Sequence, residues 1–155
     1  MTEGKKRRRT LGIVFGAIGL VACAALLAQR GMTQLSMSRG ESMYRGALPL
    51  SGRLVGHDMA LPTLATRCIN CHAAGTSETK GRDALARFGA PLDGASLSGL
   101  QSRRGGPATR FDPASLCEVL RTGRDPAQIL ISSTMPRYDV SETQCRDLWT
   151  YLTAQ

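Results

Sequence analysis

The chain has 155 residues, 42% of them hydrophobic and 5% aromatic, with a formal net charge of +8 at pH 7. That length suits one domain. Half of the charge lies in the first ten residues, which hold five basic groups and one acid. The remaining +4 is spread over residues 30–155 and gives no case for nucleic-acid binding.

The chain opens with a basic tail, residues 1–10, and continues into an uncharged apolar run, LGIVFGAIGLVACAALLA, over residues 11–28. As a helix this run reaches about 27 Å, enough for a typical hydrocarbon core. Five basic residues precede it, and the positive-inside rule would keep that end in the cytoplasm. The expectation is an uncleaved transmembrane signal anchor that spans once and sends the rest of the chain across the membrane. Two processing readings stand beside it. ACA matches an A-x-A cleavage site ending at Ala24, and LVAC places Cys23 for lipidation. Both leave an apolar stretch at the new start, so the anchor accounts better for the whole run.

Residues 29–42 are rich in Gly, Ser and Arg and read as a tether. A folded domain is expected over residues 43–155, with Tyr44, Leu48, Leu50, Leu54 and Val55 packing on it. A short helix is predicted from about Leu61 into the cysteine cluster that follows, with Pro62 in its first turn. Another covers residues 83–88 and stops at Gly89. In FDPASLCEVLRTG, Asp112 is the N-cap, Pro113 the first helical residue, and Gly123 lies past the end. The last helix opens on a capping box of Ser141 and Gln144. Its Cys145, Leu148, Trp149 and Leu152 form one apolar stripe.

The chemistry concentrates in CINCH. It places Cys68, Cys71 and His72 within five residues of a chain that has five cysteines and two histidines. On a helical turn, positions three and four apart share a face. Two thiols on one edge can add across the vinyl groups of a haem, and the imidazole that follows can bind the iron. This is the C-x-x-C-H attachment signature of c-type haem. A zinc site would need four ligands, and the other histidine, His57, lies eleven residues before Cys68. A thioredoxin-like pair would need a βαβ setting that the sequence lacks.

The sixth ligand expected is Met135, in ISSTMPRYDV. Pro136 biases it to an extended conformation, freeing the thioether. A His/Met pair is the electron-transfer arrangement that raises the potential. Met32, Met37 and Met43 read as gap-filling apolar residues. His57 and Met59 rank below Met135 because they lie so close to the attachment site.

With CINCH, TMPRY and the closing SETQCRDLWTYL, the segment from about Ser38 to Ala154 resembles the class I monohaem cytochromes c of bacteria. The flanking GESMYRGALPLSGRLVGHDMALP and RRGGPATRFDPASLCEVLRTGRDP add to the likeness. The resemblance implies a small all-α fold around one covalent haem c, here preceded by a transmembrane helix, single-pass in a bacterial inner membrane with the haem domain in the periplasm. Cys68 and Cys71 would be the anchors, and His72 and Met135 the axial ligands. It implies a one-electron carrier, not an enzyme, working with a dehydrogenase or a terminal oxidase. The haem would complete a marginal core, so the haem-free chain should fold poorly. The alternatives are an electron-entry subunit of a dehydrogenase complex and a haem-based gas sensor. Two matters stay open. Cys117 and Cys145 are either a disulfide or two buried thiols. Arg103 and Arg104 either pair with haem propionates or are solvated loop residues.

Overall fold

The computed structural model describes residues 3–72 and 89–155, with side chains from residue 23 onward. The helix expected over residues 83–88 lies outside the described residues. The chain divides into two compact units, Met1–Leu35 and Ser36–Gln155.

Four α-helices are described: α1 (Glu3–Arg45), α2 (Gly94–Ser98), α3 (Pro113–Thr122) and α4 (Glu142–Leu152). Between them lie β1 (Ser51–Arg53), β2 (Gln101–Ser102), β3 (Ala108–Thr109) and β4 (Arg137–Asp139). Strand β1 pairs antiparallel with β4, and β2 with β3. The all-α expectation is therefore corrected to helices with two short ribbons. The physical reason lies in the connections. Pro136 disfavours helix at the residue before it. The chain leaves it extended and satisfies its backbone against residues 51–53, with Gly52 opposite Tyr138.

The N-terminal expectation is also corrected. Among the described residues, no helix is long and apolar enough to cross a membrane. The transmembrane helix at residues 11–28, the single-pass inner-membrane location and the membrane contact are accordingly not supported. Helix α1 runs 43 residues without a break. Over its described side chains, Arg30, Arg39, Glu41 and Arg45 interrupt the sequence before a membrane-length apolar stretch accumulates. Residues 29–42, expected as a tether, are helical, since no proline interrupts them.

In the second unit, the last turns of α1 pack on α4. A Cβ at Gly40 would stand 2.1 Å from the Asp147 carbonyl oxygen and 2.6 Å from the Tyr151 Cβ. Only glycine lets the two backbones approach that closely. On one side of this crossing, Ser36 Oγ donates to the Asp147 carboxylate at 2.6 Å. Arg39 Nε pairs with the same carboxylate at 3.0 Å. On the other side, the Tyr44 and Tyr151 rings lie 5.5 Å apart. A buried carboxylate needs such partners to be tolerated.

Helix α3 matches its punctuation. Asp112 caps it in a box with Ser115, Pro113 opens it, and Gly123 closes it at φ 80°. Helix α4 opens on the expected box of Ser141 and Gln144. Cys145, Leu148 and Leu152 are buried, and Trp149 packs against their cluster. A disulfide joins Cys117 of α3 to Cys145 of α4, with the Cα atoms 5.3 Å apart. Arg121 reinforces this pair of helices: its Nε donates to the Val140 carbonyl at 2.9 Å, and its Nη1 meets Glu142 Oε1 at 2.7 Å.

Candidate functional site

The CINCH segment forms a single tight turn. A 3-10 helix covers Cys68–Asn70. The amides of Cys71 and His72 both donate to the Cys68 carbonyl, at 3.2 and 2.9 Å. This turn is shorter than the helix expected from Leu61. Upstream, other bonds take the backbone: Leu61 N–H donates to Gly52, and Ala65 N–H to Pro62, each at 2.8 Å. The side chain of Asn70 then reaches back to the Leu64 carbonyl at 2.6 Å. These local bonds compete with helix propagation.

Cys68 and Cys71 are not bonded to one another. Cys68 is buried, and its burial pushes the thiol pKa up to about 11. Cys71 is half-buried. The His72 imidazole is held from two directions. Its Nδ1 bonds the Ala90 carbonyl at 2.7 Å. With a carbonyl as partner, that nitrogen carries the proton, and Nε2 is left with its lone pair. Among the described residues Nε2 has no hydrogen-bond partner. Burial lowers the imidazole pKa, against an opposing contribution from the Ala90 carbonyl. The ring rests on Gly89, where a Cβ would lie 2.2 Å from Nδ1. The His72 carbonyl accepts a hydrogen bond from the Tyr44 hydroxyl, supplied by the end of α1.

Met135 comes from the far end of the unit. Its amide donates to the Ser132 carbonyl at 3.2 Å, closing a turn. Its carbonyl accepts from Arg137 Nη1 at 2.7 Å. The side chain is half-buried and packs against the core cluster that includes Cys68. One long-range bond ties this segment to the residues just before CINCH. The Tyr138 hydroxyl donates to the Thr66 carbonyl at 3.1 Å, across 72 residues of sequence. Burial pushes the pKa of that hydroxyl up, so it stays a donor. The competing ligand candidates fare differently. Met59 is 82% exposed, and His57 is exposed as well.

Arg103 is occupied elsewhere. It donates to the carbonyls of Ser96 and Thr109 and lies 5.0 Å over the Phe111 ring, which pins the loop between α2 and β3. Arg104 takes φ 51° and reaches the Leu130 carbonyl.

Three contributors to the site were not read from the sequence: Tyr44, Ala90 and Tyr138. Tyr44 carried only a packing signal. Tyr138 stood in the TMPRY motif without a partner. Ala90 acts through its backbone carbonyl, for which no side-chain signal exists.

The CINCH turn offers two unlinked thiols and an imidazole nitrogen, and Met135 offers a thioether from a separate segment. Among the described residues, no group of three or more His, Cys, Asp or Glu is placed to hold a metal ion. No protein-family model, no curated protein and no solved structure matches this chain.

Proposed function

We propose that the protein is a one-electron carrier of the c-type cytochrome kind. Its haem would be held by thioether bonds from Cys68 and Cys71 and ligated by His72 and Met135. The observation that carries this reading is the bond from His72 Nδ1 to the Ala90 carbonyl. A metal-ligating histidine characteristically donates its other ring nitrogen to a backbone carbonyl, which fixes the tautomer and aims the free nitrogen. Here that orientation occurs on the one histidine of a C-x-x-C-H motif.

The donor set fits a haem. Imidazole and thioether are the pair that favours electron transfer over oxygen activation, and the two cysteines are free to react. The haem, when bound, supplies the Fe(III)/Fe(II) couple. The chain's part is to bind and orient. Gly89 and Ala90 hold the imidazole, Tyr44 and Tyr138 tie down the His72 and Thr66 carbonyls, and the half-buried Met135 would supply the thioether. The haem-based sensor and the fixed electron-entry subunit are outcomes of the tests below.

The experiment has two readouts. Haem that stays on the polypeptide through acid-acetone extraction and a denaturing gel supports thioether attachment; complete extraction defeats it. In the oxidised protein, Met135→Ala should abolish the weak long-wavelength band of sulfur–iron ligation and lower the potential, leaving the covalent haem in place. Carbon monoxide should bind the reduced variant and barely bind the wild type. Ready binding to the wild type would favour a sensor. An unchanged spectrum in Met135→Ala would remove Met135 as ligand. Stable co-purification with a catalytic subunit would favour the electron-entry role.

A further inference from the structure

We propose that Arg137 is the positioning residue for Met135: its guanidinium clamps the Met135 carbonyl to the C-terminal end of α3 and so sets where the thioether stands. This rests on the carrier reading for the role of the thioether, while the clamp itself is read from contacts. Arg137 Nη1 donates to the Met135 carbonyl at 2.7 Å. The same guanidinium lies against Gly123, where a Cβ would be 2.3 Å from each of Cζ, Nε and Nη2. Gly123 is the C-cap of α3, at φ 80°. A cation is favoured there, because the last carbonyls of a helix carry partial negative charge. Ile131, just before the loop, donates its amide to the Gly123 carbonyl at 2.8 Å. The loop is therefore fastened to Gly123 at both ends, by Ile131 on entry and by Arg137 on exit.

Other readings of Arg137 explain less. In the β1–β4 ribbon it stands opposite Arg53, and like charges directly opposite are destabilising, so strand pairing does not favour an arginine here. The ion pairs among the described residues join Arg39 to Asp147, Arg45 to Glu41 and Arg121 to Glu142, and Arg137 joins none of them. The side chain is half-buried, and its Nε is buried without a hydrogen-bond partner. Leaving a donor unpaired costs stability, which a merely solvated arginine would avoid by turning outward. With the carbonyl taken by Arg137, the backbone of Met135 is tied on every side. Its amide donates to the Ser132 carbonyl at 3.2 Å, and the buried Pro136 fixes the next φ. Ser132, Ser133 and Thr134 are exposed, so burial of the loop itself does not hold the thioether in place.

The test compares Arg137→Gln with Arg121→Gln. The control also loses one charge and a guanidinium bound to a backbone carbonyl, but that carbonyl belongs to Val140, outside the Met135 loop. Both variants are used well below their unfolding midpoints. Dilute hydrogen peroxide transfers one oxygen atom to a methionine sulfur and leaves water, and peptide mass mapping reads the sulfoxide at each site. Met59, 82% exposed, is the internal reference in every sample. The ratio of Met135 to Met59 oxidation should rise about threefold or more in Arg137→Gln and keep its wild-type value in Arg121→Gln. In the reduced, haem-bearing protein, carbon monoxide should bind Arg137→Gln more readily than the wild type or Arg121→Gln, because a thioether no longer aimed at the iron competes less well for it. If Arg137→Gln does not fold, Arg137→Lys takes its place: it keeps the charge and the stem on Gly123 but lacks the planar fork, and the same rise is expected. Equal oxidation ratios in the Arg137 and Arg121 variants would mean that Arg137 acts only on overall stability, and would overturn the proposal while leaving a haem-bearing carrier intact. A chain without covalent haem would defeat the carrier reading instead, and the oxidation ratios would still decide the clamp.

Discussion

At the scale of single residues, the histidine is governed by groups that are not themselves reactive. Gly89 is the clearest. Its absent side chain is the space in which the imidazole lies, since a Cβ would meet Nδ1 at 2.2 Å and Cε1 at 2.3 Å. We expect Gly89→Ala to displace the ring and break the bond to Ala90. The cost should be about 1–3 kcal/mol, typical of overpacking, read as a lower thermal midpoint and, if a haem is bound, as a changed absorption spectrum. A midpoint and spectrum like the wild type would contradict this placement of His72. Tyr44→Phe removes one hydrogen bond to the His72 carbonyl and should cost about 1 kcal/mol in denaturant unfolding.

At the scale of elements, stability should depend on how α4 is held on either side. Toward α3 the link is covalent. The Cys117–Cys145 disulfide spans a separation of 28 residues. Replacing both cysteines with Ala should cost about 3–4 kcal/mol on the chain-entropy account. Denaturant unfolding measures this directly, and a loss below 1 kcal/mol would show that the crosslink is redundant with packing. Toward α1 the link is a close crossing. Gly40→Val would drive two methyl groups into the Asp147 carbonyl and Tyr151. It should destabilise the protein by more than Asp112→Ala, which loses only the α3 cap, worth about 1 kcal/mol. The reverse order of the two midpoints would mean that the crossing is slack.

At the scale of the molecule, the buried apolar set among the described residues is drawn from several elements: α1, α2, α3, α4 and the β4 segment. It includes Cys68 itself. If a haem is joined at CINCH, it completes that core as well as providing the redox centre. Cys68→Ala/Cys71→Ala should therefore lose cooperative thermal unfolding as well as the covalent haem, because a small domain has little apolar burial to spare. A sharp transition at the wild-type temperature in this variant would show that the protein core is self-sufficient.

The sequence alone determined what depends on local chemistry. The caps of α3 and α4 were legible because Asp112 and Ser141 act on amides three residues away, and Gly123 on its own dihedral. CINCH stood out by residue type and short spacing, and Met135 by its thioether and the proline after it; the haem they would bind is a proposal. What the tertiary structure decided are pairings over long separations. It chose the disulfide over two free thiols by bringing two helices to 5.3 Å between Cα atoms. It paired residues 51–53 with residues 137–139, which no local propensity specifies. It extended the expected tether as helix onto α4, where Gly40 permits a contact that a sequence rich in Gly, Ser and Arg reads as flexibility. It replaced a predicted membrane helix with a longer one, because periodicity and hydropathy over a window do not report where a helix stops. The carbonyl that aims His72 belongs to Ala90, and a backbone group that every residue carries leaves no mark in the sequence.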